Sequence, residues 1–394
     1  MEKLKAARGR KAIVWIVVCA ALAVWALFAA RFAAGTDFHH LYRSGGASRV
    51  GYERAVVLDV VKQDLERDGE HGGLLTGTQD VRIRIMSGVR SGVELGIRNV
   101  LNYTTNFLLR KGDAIVVHVD QADAQNYTVS VYSVDRLPAM CLLAALFAAA
   151  LCGIGGRRGL RALLGMVFTF VTIVLVFIPL LYRGISPSAA ASVMAVATVA
   201  ISLLLLDGPS VKSFSAIVGS FAGIAISAGI AIVYARAVQV SGYTTAEADS
   251  LLAIAGQSGM RVGELLFAAF MIATLGAEMD ISISVASAVA ELHVGNPGLG
   301  PTALFRAGMN VGRDMMGMMA NTLILAFVGT SLNAFILMFS LERSSLQILN
   351  SNAISMEIGE SLSGGLAIVL TVPAVAFFSS ILPHARLRRR YAGR

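Results

Sequence analysis

The chain has 394 residues, 56% of them hydrophobic and only 15% charged, with a mean hydropathy of +0.69. Soluble globular chains carry charge at about a quarter of their positions, so a soluble enzyme is excluded as a reading of the whole chain. The net charge of +8 does not point to nucleic acid, because its clusters flank apolar runs. Lys3, Lys5, Arg8, Arg10 and Lys11 precede the first run, and Arg386, Arg388, Arg389, Arg390 and Arg394 follow the last. Basic flanks of this kind orient a membrane protein, positive side to the cytoplasm, where they meet an anionic lipid surface.

In chain order, residues 1–35 hold the basic segment and the first apolar run, Ala12 to Phe32, long enough to cross a bilayer as a helix. Small residues are not placed for cleavage near its end, since Phe32 stands two places before Ala34, so the run is expected to remain as an anchor. Residues 36–136 have ordinary soluble composition and form a separate domain. Five short strands are expected there: Ala55–Val61, Asp80–Met86, Val93–Ile97, Ala114–Val119 and Tyr127–Tyr132. Asp80 to Met86 alternates apolar and polar residues as a half-buried strand does. Five strands in so short a stretch suit a small barrel, OB-like by preference. His39 and His40 are adjacent, poor spacing for one metal, and read as loop residues.

Residues 137–385 then carry seven more apolar runs: 138–154, 162–182, 189–206, 214–235, 262–275, 315–339 and 362–382. With the first run this makes a membrane helical bundle of about eight transmembrane helices, the β-domain inserted between helices 1 and 2. Arg157, Arg158, Arg161, Lys212 and the basic tail at 386–394 all fall on the side of the N-terminus. Both termini are therefore expected in the cytoplasm and the β-domain outside it. Arg183, Arg236, Arg261 and Arg343 fall singly on the other side, against the trend. Gly219, Gly223, Ala225 and Gly229 mark one run as closely packed in the bundle. Cys19, Cys141 and Cys152 all lie in apolar runs and read as small apolar residues, with no disulfide expected.

The polar region at 276–321 is the informative one. Asp280, Ser284, Ser287 and Glu291 are spaced 4, 3 and 4 apart, one helical face, and Asn310, Asp314, Gly317 and Asn321 repeat that spacing. A Gly/Pro break from Gly295 to Pro301 separates the two stretches. Ionisable groups at membrane depth are costly and face a cavity or one another, and broken helices that line a midplane site are a transporter pattern. Glu278, Asp280, Ser284, Ser287, Glu291, Asn310, Arg313, Asp314 and Asn321 are thus the candidate polar pathway, with Arg313 as counter-charge. A cytoplasmic loop with an amphipathic surface helix would read similarly, with Arg313 and Asp314 as juxtamembrane charges. Met309, Met315, Met316, Met318 and Met319 scatter around the helix, and read as packing residues rather than a metal site.

Gly276-Ala277-Glu278-Met279-Asp280, the stretch Ser282 to Glu291, and Gly308-Met309-Asn310-Val311-Gly312-Arg313-Asp314-Met315-Met316-Gly317 with Asn321 to Phe327 resemble the YibE/F-like bacterial membrane proteins. Asn99-Val100-Leu101 with Gly112-Asp113 is similar to their extracytoplasmic region, so the resemblance runs from about Arg54 to Leu382. Met318 departs from it, where the family tends to have Thr. The resemblance implies this architecture and brings no catalytic residue.

Two functions stay open: a transporter or permease component for a small solute or ion, and a non-transporting envelope scaffold whose β-domain binds a partner. No catalytic, cofactor-binding or metal-binding residues are expected. Enzymatic chemistry generally needs a His, Ser or metal constellation, and the apolar runs hold no His. No Gly-rich Lys-Ser/Thr phosphate loop is present, so any ATPase would be a separate subunit. The partners expected are the lipid bilayer and a second copy or another membrane subunit, with no nucleic acid.

Overall fold

The structure is a computed structural model that describes residues 22–36, 49–69, 72–121, 127–245, 247–341 and 344–392. It divides into two compact units, Arg43–Ala150 and Met1–Tyr42 with Leu151–Arg394. His39, His40 and the N-terminal basic segment lie outside the described residues.

The smaller unit is an antiparallel half-barrel of β1 (Arg49–Arg67), β2 (Leu75–Ile85), β3 (Glu94–Leu101), β4 (Ala114–Gln121) and β5 (Tyr127–Val134), in the order β3-β2-β1-β4-β5. β1 is long enough to serve two partners. Its first half pairs with β4 from Arg49↔Gln121 to Val56↔Ala114, and its second half with β2 from Ala55↔Ile85 to Arg67↔Leu75. Register shifts between Val57 and Asp59 and between Val60 and Lys62 interrupt the β1–β2 ladder. Bulges of this kind bend a strand and raise its twist, and the edge strands β3 and β5 come into contact. The alternation read from the sequence sets the inner face: Ala55, Val57, Val81, Ile83, Ile97, Ile115, Val117 and Val119 form its core.

Leu109, from the loop between β3 and β4, joins that core. It is held there by a polar lock at a core position. The Gln79 side chain is fully buried; its amide donates to the Leu109 carbonyl at 3.2 Å, and its Oε1 accepts from the Leu109 N–H at 3.0 Å. Oε1 also accepts from Asn99 Nδ2 at 3.1 Å, which donates in turn to the Phe107 carbonyl at 3.1 Å. On the outer surface the Arg98 guanidinium, 2.8 Å from Asp80, holds that carboxyl below its ordinary value.

The larger unit is helical, with residues 137–150 of α2 counted in the smaller one: α1 (Leu22–Ala34), α2 (Leu137–Thr172) continuing into α3 (Ile178–Tyr182), α4 (Pro187–Asp207), α5 (Val211–Val238), α6 (Ala248–Ser258), α7 (Leu265–Gly295), α8 (Pro301–Thr330), α9 (Leu332–Ser340), α10 (Ser345–Leu349) and α11 (Asn352–Ala392). Local chemistry sets the ends. Ser186 and Ser210 cap α4 and α5, accepting from the N–H groups of Ala189 and Ser213. Pro187 and Pro301 open α4 and α8, where a missing N–H costs nothing. At the foot of α7, Glu264 accepts hydrogen bonds from the hydroxyls of Ser186 and Ser188 and from Arg261, tying this corner to the start of α4.

Among the described residues, five stretches are long and apolar enough to cross a membrane: Leu137–Tyr182, Pro187–Asp207, Val211–Val238, Val262–Gly295 and Asn352–Leu382. The count reaches six if α8 and α9, bent by 58°, make one span. The sequence led to an expectation of eight. Two of its runs, 138–154 and 162–182, both fall within the 46-residue stretch Leu137–Tyr182, one on each side of Gly156, whose φ of 53° and ψ of −128° are non-helical and separate two helices. The first run falls short because only Leu22–Ala34 of it is described. The polar region is helical throughout apart from the Gly/Pro break, which separates α7 from α8 as expected.

α5, α7 and α11 pack together, with α4 against α5 and α7 and with α8 against α7 and α11. Glycines set the closest approaches. A methyl group on Gly219 would collide with Val375, on Gly223 with Thr371, on Gly312 with Val372, and on Gly308 would stand 2.8 Å from Val289. These contacts put Gly219, Gly308 and Val375–Ala376 at one level of the bundle, and Gly223, Gly312 and Thr371–Val372 one turn further along. Ala225 and Gly229, from the same small-residue series on α5, point outward.

Candidate functional site

Thr274, Glu278 and Ser282 follow one another at four-residue steps on α7, and all three are buried. Ser220 and Ser227 are buried seven residues apart on α5. The two stripes meet: Ser227 Oγ and Thr274 Oγ1 lie 3.3 Å apart in hydrogen-bonding geometry. Thr371 on α11 is fully buried beside Gly223, its hydroxyl donating to the Ala367 carbonyl at 2.8 Å. Helices α5, α7 and α11 thus bring hydroxyls into an otherwise apolar core.

Glu278 stands in that core at 0% exposure. The hydroxyls of Ser227 and Thr274 face its carboxyl, but no short, well-aligned hydrogen bond joins them to Oε1 or Oε2. No cation pairs with it among the described residues. The hydroxyls of Ser220, Ser282, Thr198 and Ser202 are also buried without a hydrogen-bond partner. An isolated carboxylate costs several kcal/mol or more to bury. A carboxyl so placed therefore keeps its proton or takes up a cation, and the hydroxyls around it supply oxygen ligands or proton carriers for either. Further along α11, Glu357 has a buried Oε2 without a hydrogen bond, and Glu360 is half-buried three residues on.

The other candidates read from the sequence lie elsewhere. On α7, Asp280 and Glu291 are exposed, while Ser284 and Ser287 are half-buried, with the Ser287 hydroxyl donating to the Ile283 carbonyl at 2.5 Å. Asn310, Arg313, Asp314 and Asn321 are all exposed on α8. Arg313 donates to Asn310 Oδ1 at 3.5 Å, and no ion pair joins Arg313 to Asp314 or Asp280 among the described residues. Only Glu278 of the nine candidates is fully buried. Ser227, Thr274, Ser282 and Ser220 were not singled out from the sequence; the four-residue steps through Glu278, and the glycines beside Ser220 on α5, were the signals available.

Among the described residues no group of three or more His, Cys, Asp or Glu is arranged to hold a metal ion. Cys141 is exposed and Cys152 half-buried, both as free thiols.

A family profile described as YibE/F-like protein matches residues 143–384, more than half of the chain and nearly all of the helical unit. The match begins beyond the β-domain, so the similarity read from Arg54 onward is not part of it. No curated protein and no solved structure matches the chain.

Proposed function

The chain belongs to the YibE/F-like family, and on that footing we propose that it is a transporter or permease component of the bacterial plasma membrane that moves a small solute or ion. The observation that carries this reading is Glu278: a carboxyl at 0% exposure, without a cation beside it among the described residues or a short hydrogen bond, faced by hydroxyls from two helices. An ionisable residue inside an apolar bundle is expensive to keep and marks a pathway or relay when it is kept. Glu278 is the group that takes up and releases a proton or a cation, and Ser227 and Thr274 are its oxygen neighbours. The basic clusters support an orientation with both termini in the cytoplasm and the β-domain outside. The strand order β3-β2-β1-β4-β5, with β3 meeting β5, supports an OB-like reading of that domain. No catalytic role or cofactor belongs to this account.

Purified protein reconstituted in liposomes tests it, with a trapped pH dye and with rubidium, sodium or lithium outside. Glu278→Gln keeps the shape of the side chain and removes the titratable group. The expected result is a proton or cation flux in the wild type that falls to the level of empty liposomes in Glu278→Gln. Equal flux in the two proteins would refute the assignment.

The scaffold reading rests on a different observation. Tyr52 and Tyr132 are exposed on the half-barrel, their ring centroids 4.9 Å apart, with His118 5.4 Å from Tyr52. Such a shelf could serve an extracytoplasmic partner whether or not the bundle transports anything.

A further inference from the structure

α8 presents two contrasting faces. Leu304, Gly308 and Gly312 are buried, the glycines against Val289, Val372 and Ala376 of α7 and α11. The opposite face carries Asn310, Arg313, Asp314, Gly317 and Asn321, all exposed. The contacts of the bundle fix its level. Gly312, next to Arg313, meets Val372; Thr371, next to Val372, meets Gly223, close to the middle of the 28-residue α5. Arg313 and Asp314 are therefore level with the centre of an apolar helix long enough to cross a bilayer, and they face away from the other described helices. Asp314 makes no ion pair among the described residues, and Arg313 reaches only Asn310. At that level polar groups need partners, because lipid offers none.

We propose that this face of α8 is the interface with a second copy of the chain, related by a two-fold axis running along the bundle. The charge pattern selects that occupant. Opposite charges on neighbouring residues are self-complementary under such an axis, so that Arg313 of each copy meets Asp314 of the other at the same height, twice over. Asn310 and Asn321 flank the pair and bond across it. Gly317 has nothing within 4 Å of where a methyl group would stand, which lets the two backbones approach closely. Beyond the bend, Ile336 and Phe339 on α9 are exposed apolar residues. The inference holds whether or not Glu278 carries transport.

Cysteine cross-linking in native membranes tests it, in a chain carrying Cys19→Ser, Cys141→Ser and Cys152→Ser. Gly317→Cys should yield a disulfide-linked dimer on mild oxidation, whereas Val193→Cys, on an exposed apolar face of α4, should not. Arg313→Asp or Asp314→Arg should each cut the Gly317→Cys dimer about tenfold through like-charge contact, and the double exchange should restore it. Mass measurement of the wild type in lipid nanodiscs, which requires no substitution, should give twice the chain mass. A monomeric mass, a cross-link to an unlike protein, or charge variants that cross-link like the parent would overturn the proposal.

Discussion

Replacing Glu278 by methionine should make the protein more stable while removing its transport. Methionine nearly matches the side chain in volume and brings no group that needs a partner. The carboxyl it replaces is fully buried, with no short, well-aligned hydrogen bond to either oxygen. Leaving a buried polar group unsatisfied costs about 1–3 kcal/mol, so the substitution should return roughly that much. Thermal unfolding in detergent, in a buffer of low ionic strength, should show a higher midpoint for Glu278→Met than for the wild type. A residue retained for packing would behave in the opposite way. A lower midpoint would mean that the carboxyl is bonded, and that its burial is part of the architecture rather than of the function.

The same substitution at Gln79 should have the opposite sign. Gln79 is as buried as Glu278, but its amide is saturated: it bonds to both backbone groups of Leu109 and to Asn99. Gln79→Met leaves the Leu109 N–H and carbonyl without those partners inside the half-barrel. Two orphaned backbone groups should cost about 3 kcal/mol together, a change of about a hundredfold in an opening equilibrium. Hydrogen–deuterium exchange on the full-length protein should show that loss of protection in peptides covering 102–113. Exchange there unchanged from wild type would show that the loop is held by Leu109 packing alone.

These two residues also show what the sequence could reveal. In the half-barrel, period-two alternation marked the core face of β2 from Val81 onward, because water on one side and core on the other impose opposite demands on successive residues. Gln79 sits on that core face, but nothing in its own position told that Leu109, thirty residues away, would be its partner. In the helical unit the apolar runs emerged as helices, yet polarity did not tell which side of each faced inward. A helix surrounded by lipid is apolar on all sides, so its inner face is marked by small residues rather than by hydrophobicity. The stripe from Asp280 to Glu291 was read as inward from its spacing alone, and the packing instead buries Thr274, Glu278 and Ser282. On α8, Gly308 and Gly312, four apart, marked the inner face, which leaves Asn310, Asp314 and Asn321 outside. The expected runs 138–154 and 162–182 lie on either side of Gly156, whose non-helical backbone separates two helices.

The central claim is that Glu278 is a working carboxyl, occupied by a proton or a cation inside an apolar bundle. An apolar carbodiimide tests this directly in native membranes, because it partitions into lipid and reacts with protonated carboxyls there. Peptide mass spectrometry of the treated wild type should find the adduct on Glu278, and labelling should decline as the pH is raised or as a competing cation is added. Labelling of Asp280, Glu291 or Asp314 with none on Glu278, across the same range of pH, would contradict the account.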